Sequence, residues 1–145
     1  MDVEAVRRAT LEQAEMLARL AVEETGLGRV DDKTTKNRLC STKTPGPEDL
    51  EVQAVSGASG MTITEFAPFG VVGSISPVTN PAATVINNAI SIISAGNAVV
   101  FNAHPSARRV SNAAVRVIHR AITGAGGPPG LITSVAEPTI ESARG

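Results

Sequence analysis

Residues 69–135 constrain the fold more than any other part of the chain. Phe69-Gly70-Val71-Val72-Gly73-Ser74-Ile75 and Ala98-Val99-Val100-Phe101 are short, nearly unbroken apolar runs, and a third follows at 131–135. Runs of this length rich in β-branched residues are strands. Between them, Val85, Ile86, Ala89, Ile90 and Ile93 recur at helical spacing over 82–95, and Val110, Ala114, Val117 and Ala121 do so over 106–123. Buried apolar strands alternating with helices predict parallel βαβ units with right-handed crossovers. Ligands of such sheets collect at the carboxyl ends of the strands. Here those ends are 76–80 and 102–105, and each leads into a helix whose first backbone N–H groups could meet an anion.

The remaining chain is of different character. Val3, Val6, Thr10, Ala14, Leu17 and Ala21 form one stripe, which predicts a single amphipathic helix over 3–24 stopped by Gly26 and Gly28. Asp31 or Asp32 could cap a second, polar helix reaching about Leu39, expected as a solvated face. Thr44-Pro45-Gly46-Pro47 reads as a turn, and the runs 50–55 and 61–66 on either side of a Ser/Gly-rich segment suggest a surface hairpin. The expected organisation is one α/β unit: a helical segment at 1–45, hairpin strands at 46–66, a βαβαβ unit at 67–136 and a polar tail at 137–145. Three strands and two helices make half of a doubly wound sheet, which leaves an open edge.

Composition excludes several classes. Thirteen Lys+Arg against fourteen Asp+Glu give a net charge of −1, so no basic field exists for nucleic acid or an anionic membrane. Three Phe with no Trp or Tyr supply no base-stacking platform. No apolar run reaches the length of a membrane-spanning helix, and the N-terminus lacks a signal peptide's pattern. One cysteine, Cys40, forms no internal disulfide and fits a reducing interior, hence a cytoplasmic expectation.

Few residues could carry chemistry. Cys40 has no neighbouring base in sequence and reads as a helix-end filler. His104 and His119 do not sit at metal-ligand spacing, so no metal site is expected. His119 reads as a surface residue. His104, on a strand-end turn, is either a turn residue bonding local backbone or part of a ligand wall. Asn80 stands before Pro81, a common turn pair, but at the mouth of the sheet its amide could stabilise a developing oxyanion, with the Thr79 hydroxyl beside it. The glycines at 124–127 follow a helix and lack the spacing of a dinucleotide fingerprint.

The stretch Ala67-Pro68-Phe69-Gly70-Val71-Val72-Gly73-Ser74-Ile75-Ser76-Pro77-Val78-Thr79-Asn80-Pro81 resembles the aldehyde dehydrogenase superfamily, as does Ser94-Ala95-Gly96-Asn97-Ala98-Val99-Val100-Phe101. Further stretches resemble its CoA-acylating branch, the acetaldehyde and propionaldehyde dehydrogenases of ethanolamine and propanediol breakdown. They are Glu23-Glu24-Thr25-Gly26-Leu27-Gly28-Arg29-Val30, Lys36-Asn37-Arg38-Leu39, Lys43-Thr44-Pro45-Gly46, Asn87-Asn88, His104-Pro105, Ala125-Gly126-Gly127-Pro128 and Glu137-Pro138-Thr139-Ile140-Glu141.

The resemblance implies part of a Rossmann-like cofactor domain and the reaction aldehyde plus CoA plus NAD⁺ to acyl-CoA plus NADH. It implies NAD as cofactor, CoA as co-substrate and a homo-oligomeric assembly, in the cytoplasm or in a bacterial microcompartment. The family's oxyanion asparagine falls on Thr79 in an ungapped alignment, with Asn80 one place later, so Thr79 and Asn80 are both candidate donors. The ordinary family's ribose-binding lysine and glutamate fall on Asn102 and Pro105, so the ribose contacts must differ. Ser76, Pro77, Thr79, Asn102, His104 and Pro105 are the implied cofactor-facing set. The family's reactive cysteine, pyrophosphate-binding glycine motif and oligomerisation strand have no counterpart in 1–145. The chain is therefore expected to be a fragment, inactive alone. Two other readings stand beside this one: a non-catalytic assembly module, and part of a non-acylating aldehyde dehydrogenase.

Overall fold

The structure, a computed structural model, describes residues 3–143. Helices α1 (Val3–Glu12), α2 (Ala14–Thr25) and α3 (Val30–Lys43) precede a hairpin of β1 (Gln53–Gly57) and β2 (Gly60–Thr64). Then come β3 (Val71–Ser76), α4 (Pro81–Ser94), β4 (Ala98–Ala103), α5 (Arg108–Gly124) and β5 (Ile132–Ser134). The last three strands form a parallel sheet in the order β3-β4-β5, as expected for βαβ units. No described helix is long and apolar enough to cross a membrane.

The register separates two faces. Val72, Ser74 and Ser76 lie with Val99, Phe101, Ala103 and Ile132 under α4 and α5, and β4's Val99, Phe101 and Ala103 are buried there. The other face carries Val71, at 71% exposure, and Ile75, at 64%. The strands are thus covered on one face rather than both. Strands taken in sequential order by crossovers of one hand put both helices on the same side.

The expected single helix over 3–24 is two. Backbone bonding continues across Gln13, whose N donates to Ala9 O at 3.2 Å, but its ψ of 6° interrupts the regular geometry. Two side chains act here. The Thr10 hydroxyl donates back to Val6 O and Arg7 O, which bends helices, and Asn37 Nδ2 donates to Ala14 O at 3.0 Å. Gly26 ends α2 in the left-handed region at φ 67°, as its position suggests.

The polar helix also departs from expectation. It starts at Val30 behind Arg29, with no side-chain cap from Asp31 or Asp32, and it is not merely a solvated face. Lys33, Thr34, Asn37 and Ser41 form one buried stripe at i, i+1, i+4 and i+8. Thr34 and Ser41 donate to Val30 O and Asn37 O, so polar groups enter the interior already hydrogen-bonded. Arg7 closes the far end of α3, donating to Ser41 O at 3.2 Å and Thr44 O at 2.8 Å.

In α5 the buried stripe is Val110, Ser111, Ala114, Val115, Ile118 and Ile122, so Val117 and Ala121 sit at its margin and His119 is half-buried. The hairpin forms in the register Gln53↔Thr64 to Gly57↔Gly60, and every residue of it is exposed. Asn97 seats the entry to β3, its Oδ1 accepting from Phe69 N and Gly70 N at 2.5 and 3.0 Å.

Candidate functional site

The parallel pairing of β3 with β4 ends at Ser76↔Ala103, and His104 N donates to Ser76 O at 2.9 Å. The two strand-end turns, 77–80 and 104–107, therefore stand side by side, as the sequence predicts for the mouth of such a sheet. Their surroundings differ.

At the first turn, Asn80 is the N-cap residue of α4 and Pro81 its first residue, where proline's missing N–H costs nothing. Asn80 makes no side-chain cap bond, and its φ of −135° and ψ of 54° lie outside the extended conformation usual for a cap. Its Oδ1 accepts from Lys36 Nζ at 2.7 Å, and Thr79 O accepts from Lys33 Nζ at 2.8 Å. Both lysines belong to α3, one turn apart. Lys33 is 8% exposed. Burial, and secondarily the Lys36 charge, hold its ammonium below the usual lysine range. Gly28 makes room for this side chain: a Cβ there would lie 3.0 Å from Lys33 Cε, at a backbone φ of +77° that disfavours side chains anyway. The cavity among Lys33, Lys36, Asn37, Asn80 and Pro81 has a volume of about 10 Å³, room for one water molecule, so the lysines brace the turn rather than line a ligand pocket.

At the second turn a carboxylate takes the place expected for a ligand. Glu24, at the end of α2, accepts from Arg109 N at 2.7 Å through Oε1 and from Val110 N at 2.8 Å through Oε2. These are first-turn amides of α5, so they are not open to an anion; the expectation of two open helix starts fails here. His104 Nδ1 accepts from Ser106 N at 3.1 Å, the local-turn alternative, and its ring is exposed. Asn102 is 8% exposed, with both amide ends engaged by Ser142: Nδ2 donates to Oγ at 3.0 Å, and Oγ donates to Oδ1 at 3.2 Å. Residues 137–142 are thus laid over the end of β4, helped by the Arg108–Glu137 ion pair.

The six implied cofactor-facing residues consequently divide. Pro77, Thr79, His104 and Pro105 are exposed at the paired turns. Asn102 is covered. Ser76 is 1% exposed on the helix-facing side, its hydroxyl without a partner among the described residues. Cys40 is half-buried against the core and burial pushes its thiol up, which suits filler rather than nucleophile. Among the described residues no group of His, Cys, Asp and Glu could hold a metal. Sequence reasoning missed Lys33, Lys36 and Glu24. The one available signal was the clustering of charged residues and glycines over 23–36.

The chain is thus an α/β protein: a parallel βαβαβ half-sheet whose strand-end turns stand side by side, the place where ligands of such sheets collect. The aldehyde dehydrogenase family model matches residues 3–144, and the chain belongs to that family. It is 53% identical over 144 residues to the acetylating acetaldehyde dehydrogenase EutE of Salmonella typhimurium, covering 99% of this chain and 31% of the relative. It superposes with a TM-score of 0.93 and 49% identity on a propionaldehyde dehydrogenase from the Clostridium phytofermentans fucose utilisation bacterial microcompartment, covering 98% of this chain and 33% of that one. A Rhodopseudomonas palustris propionaldehyde dehydrogenase with bound CoA and an acylated cysteine gives a TM-score of 0.94 at 46% identity, covering 98% and 33%. The chain spans about a third of the length of the relatives it matches.

Proposed function

We propose that this chain forms part of the cofactor-binding domain of a CoA-acylating aldehyde dehydrogenase, which converts a short-chain aldehyde, CoA and NAD⁺ to acyl-CoA and NADH. The observation that carries the reading is the Thr79–Asn80 turn. Asn80 gives its carbonyl oxygen to Lys36, which leaves its N–H₂ free to donate elsewhere. Such a donor suits the oxyanion formed when a thiolate adds to an aldehyde carbonyl. In this reading the reacting cysteine comes from outside residues 1–145. Bound NAD⁺ would supply the hydride acceptor. Pro77, Thr79, His104 and Pro105 supply the rim against which the cofactor rests, and Lys33 and Lys36 place positive charge behind the turn. The identity to acylating relatives supports the CoA-dependent branch, and the source of one structural neighbour supports a microcompartment as an alternative to free cytoplasm. The fully exposed hairpin supports a homo-oligomeric parent.

A chimera tests the reading. This chain replaces the matching segment of the Salmonella relative, and the product is assayed for acetaldehyde oxidation dependent on both CoA and NAD⁺. Activity within about tenfold of the parent is expected. A folded but inactive chimera would overturn the proposal, as would turnover by residues 1–145 alone.

A further inference from the structure

An asparagine at a helix N-cap ordinarily turns Oδ1 onto the second or third backbone N–H of the helix. Asn80 does not, and α4 begins without a side-chain cap. The oxygen that would cap Ala82 or Ala83 is bonded to Lys36 Nζ at 2.7 Å instead. One turn back on α3, Lys33 Nζ grips Thr79 O at 2.8 Å. An ammonium group only donates hydrogen bonds. Facing Lys36, the amide of Asn80 must present its oxygen, so the N–H₂ end has to point elsewhere. No described residue accepts from that N–H₂.

We propose that Lys36 is a positioning residue for acyl transfer: it draws the Asn80 oxygen off the start of α4 and so fixes the amide with its N–H₂ toward the reacting oxyanion. Lys33 holds the adjoining carbonyl and thereby the backbone of the turn. The proposal rests on the oxyanion reading of Asn80 above. It differs from an ordinary surface lysine in one consequence. Without Lys36, the Asn80 oxygen is free to return to the helix and become a conventional cap.

Hydrogen exchange and side-chain amide NMR on the full 145-residue chain read this directly. Lys36 is exposed, so Lys36→Met should leave the fold intact. In that variant the Ala83 amide, or that of Ala82, should exchange roughly fivefold more slowly as it gains a cap, and the Asn80 side-chain amide signals should move. Lys36→Arg, which still donates, should keep the original pattern. Unchanged exchange at both alanines together with unmoved Asn80 signals would overturn the proposal. In the chimera, Lys36→Met should lower kcat about tenfold with KM for CoA little changed, Lys36→Arg should restore most of it, and Lys36→Met should add nothing to Asn80→Ala. Additive losses in that cycle would also overturn it. A chimera inactive before any substitution defeats the acylating reading, whereas the exchange pattern judges the placement of Asn80 without reference to catalysis.

Discussion

The β3–α4 and β4–α5 junctions have the same local plan, a parallel strand, a short turn and a helix start, yet they meet opposite charges. At the first, two lysines of α3 hold the turn and the N-cap side chain is turned away from the helix. At the second, the Glu24 carboxylate occupies the leading amides of α5. A helix start carries partial positive charge, and it is stabilised by an anion whether a side chain or a ligand brings one. The β4–α5 junction has its anion built in and is structurally finished. Among the described residues the β3–α4 junction has no such anion, and the charged groups bonded to its turn are the cations of Lys33 and Lys36. The same secondary-structure motif therefore serves stability at one end of a strand and leaves chemical potential at the next.

Removing the built-in anion tests this contrast most severely. Glu24→Ala deprives two backbone amides of a charge-assisted bond and should cost about 2 kcal/mol, a fall in Tm of roughly 5 °C. Glu24→Gln, which keeps an acceptor without charge, should cost about half as much. Urea or thermal unfolding measures both, and a loss below about 0.5 kcal/mol for the alanine variant would mean water replaces the carboxylate freely. The reverse operation gives the first junction what the second already has. Asn80→Asp supplies a carboxylate able to cap α4 while still facing Lys36, and should raise stability by about 1 kcal/mol. In the chimera it removes the N–H₂ donor, so turnover should fall by about a hundredfold or more. A variant both more stable and fully active would detach Asn80 from the chemistry.

How much of this was legible in the sequence follows from where the information lies. The βαβαβ unit was readable because Val85 to Ile93 and the runs around Val72 and Val99 carry their period locally. Gly26 announced its helix end for the same reason. That one sheet face stays open was not readable from continuous apolarity, which cannot distinguish one covering layer from two. Helix α3 was misjudged because Thr34, Asn37 and Ser41 are buried through hydrogen bonds, which hydropathy does not record. The strand-end rule marked Thr79, Asn80 and His104, and the turns do lie together. It could not foresee Glu24 reaching Arg109 from 85 residues away, nor Lys36 reaching Asn80 across 44. Those partners are set by how the three N-terminal helices dock, a tertiary fact.

The smallest effect concerns the cation buried behind the first junction. Lys33 titrates below its ordinary 10.5 because burial, and then Lys36, disfavour its charge. The native state thus holds this proton less tightly than the unfolded chain does. The resulting stability deficit is complete below the folded pKa and is relieved as pH rises through it toward 10.5. A neutral amine still donates to Thr79 O, so the bond that holds the turn survives deprotonation. Unfolding free energy of the wild type relative to Lys33→Met should therefore climb as pH approaches 10.5, by less than the Glu24 effect. Lys36→Met should flatten that climb, because it removes the second cause of the shift. Urea unfolding across this pH range decides it. A difference that stays level or falls would place Lys33 in water, and the cationic character of the β3–α4 junction would then rest on Lys36 alone.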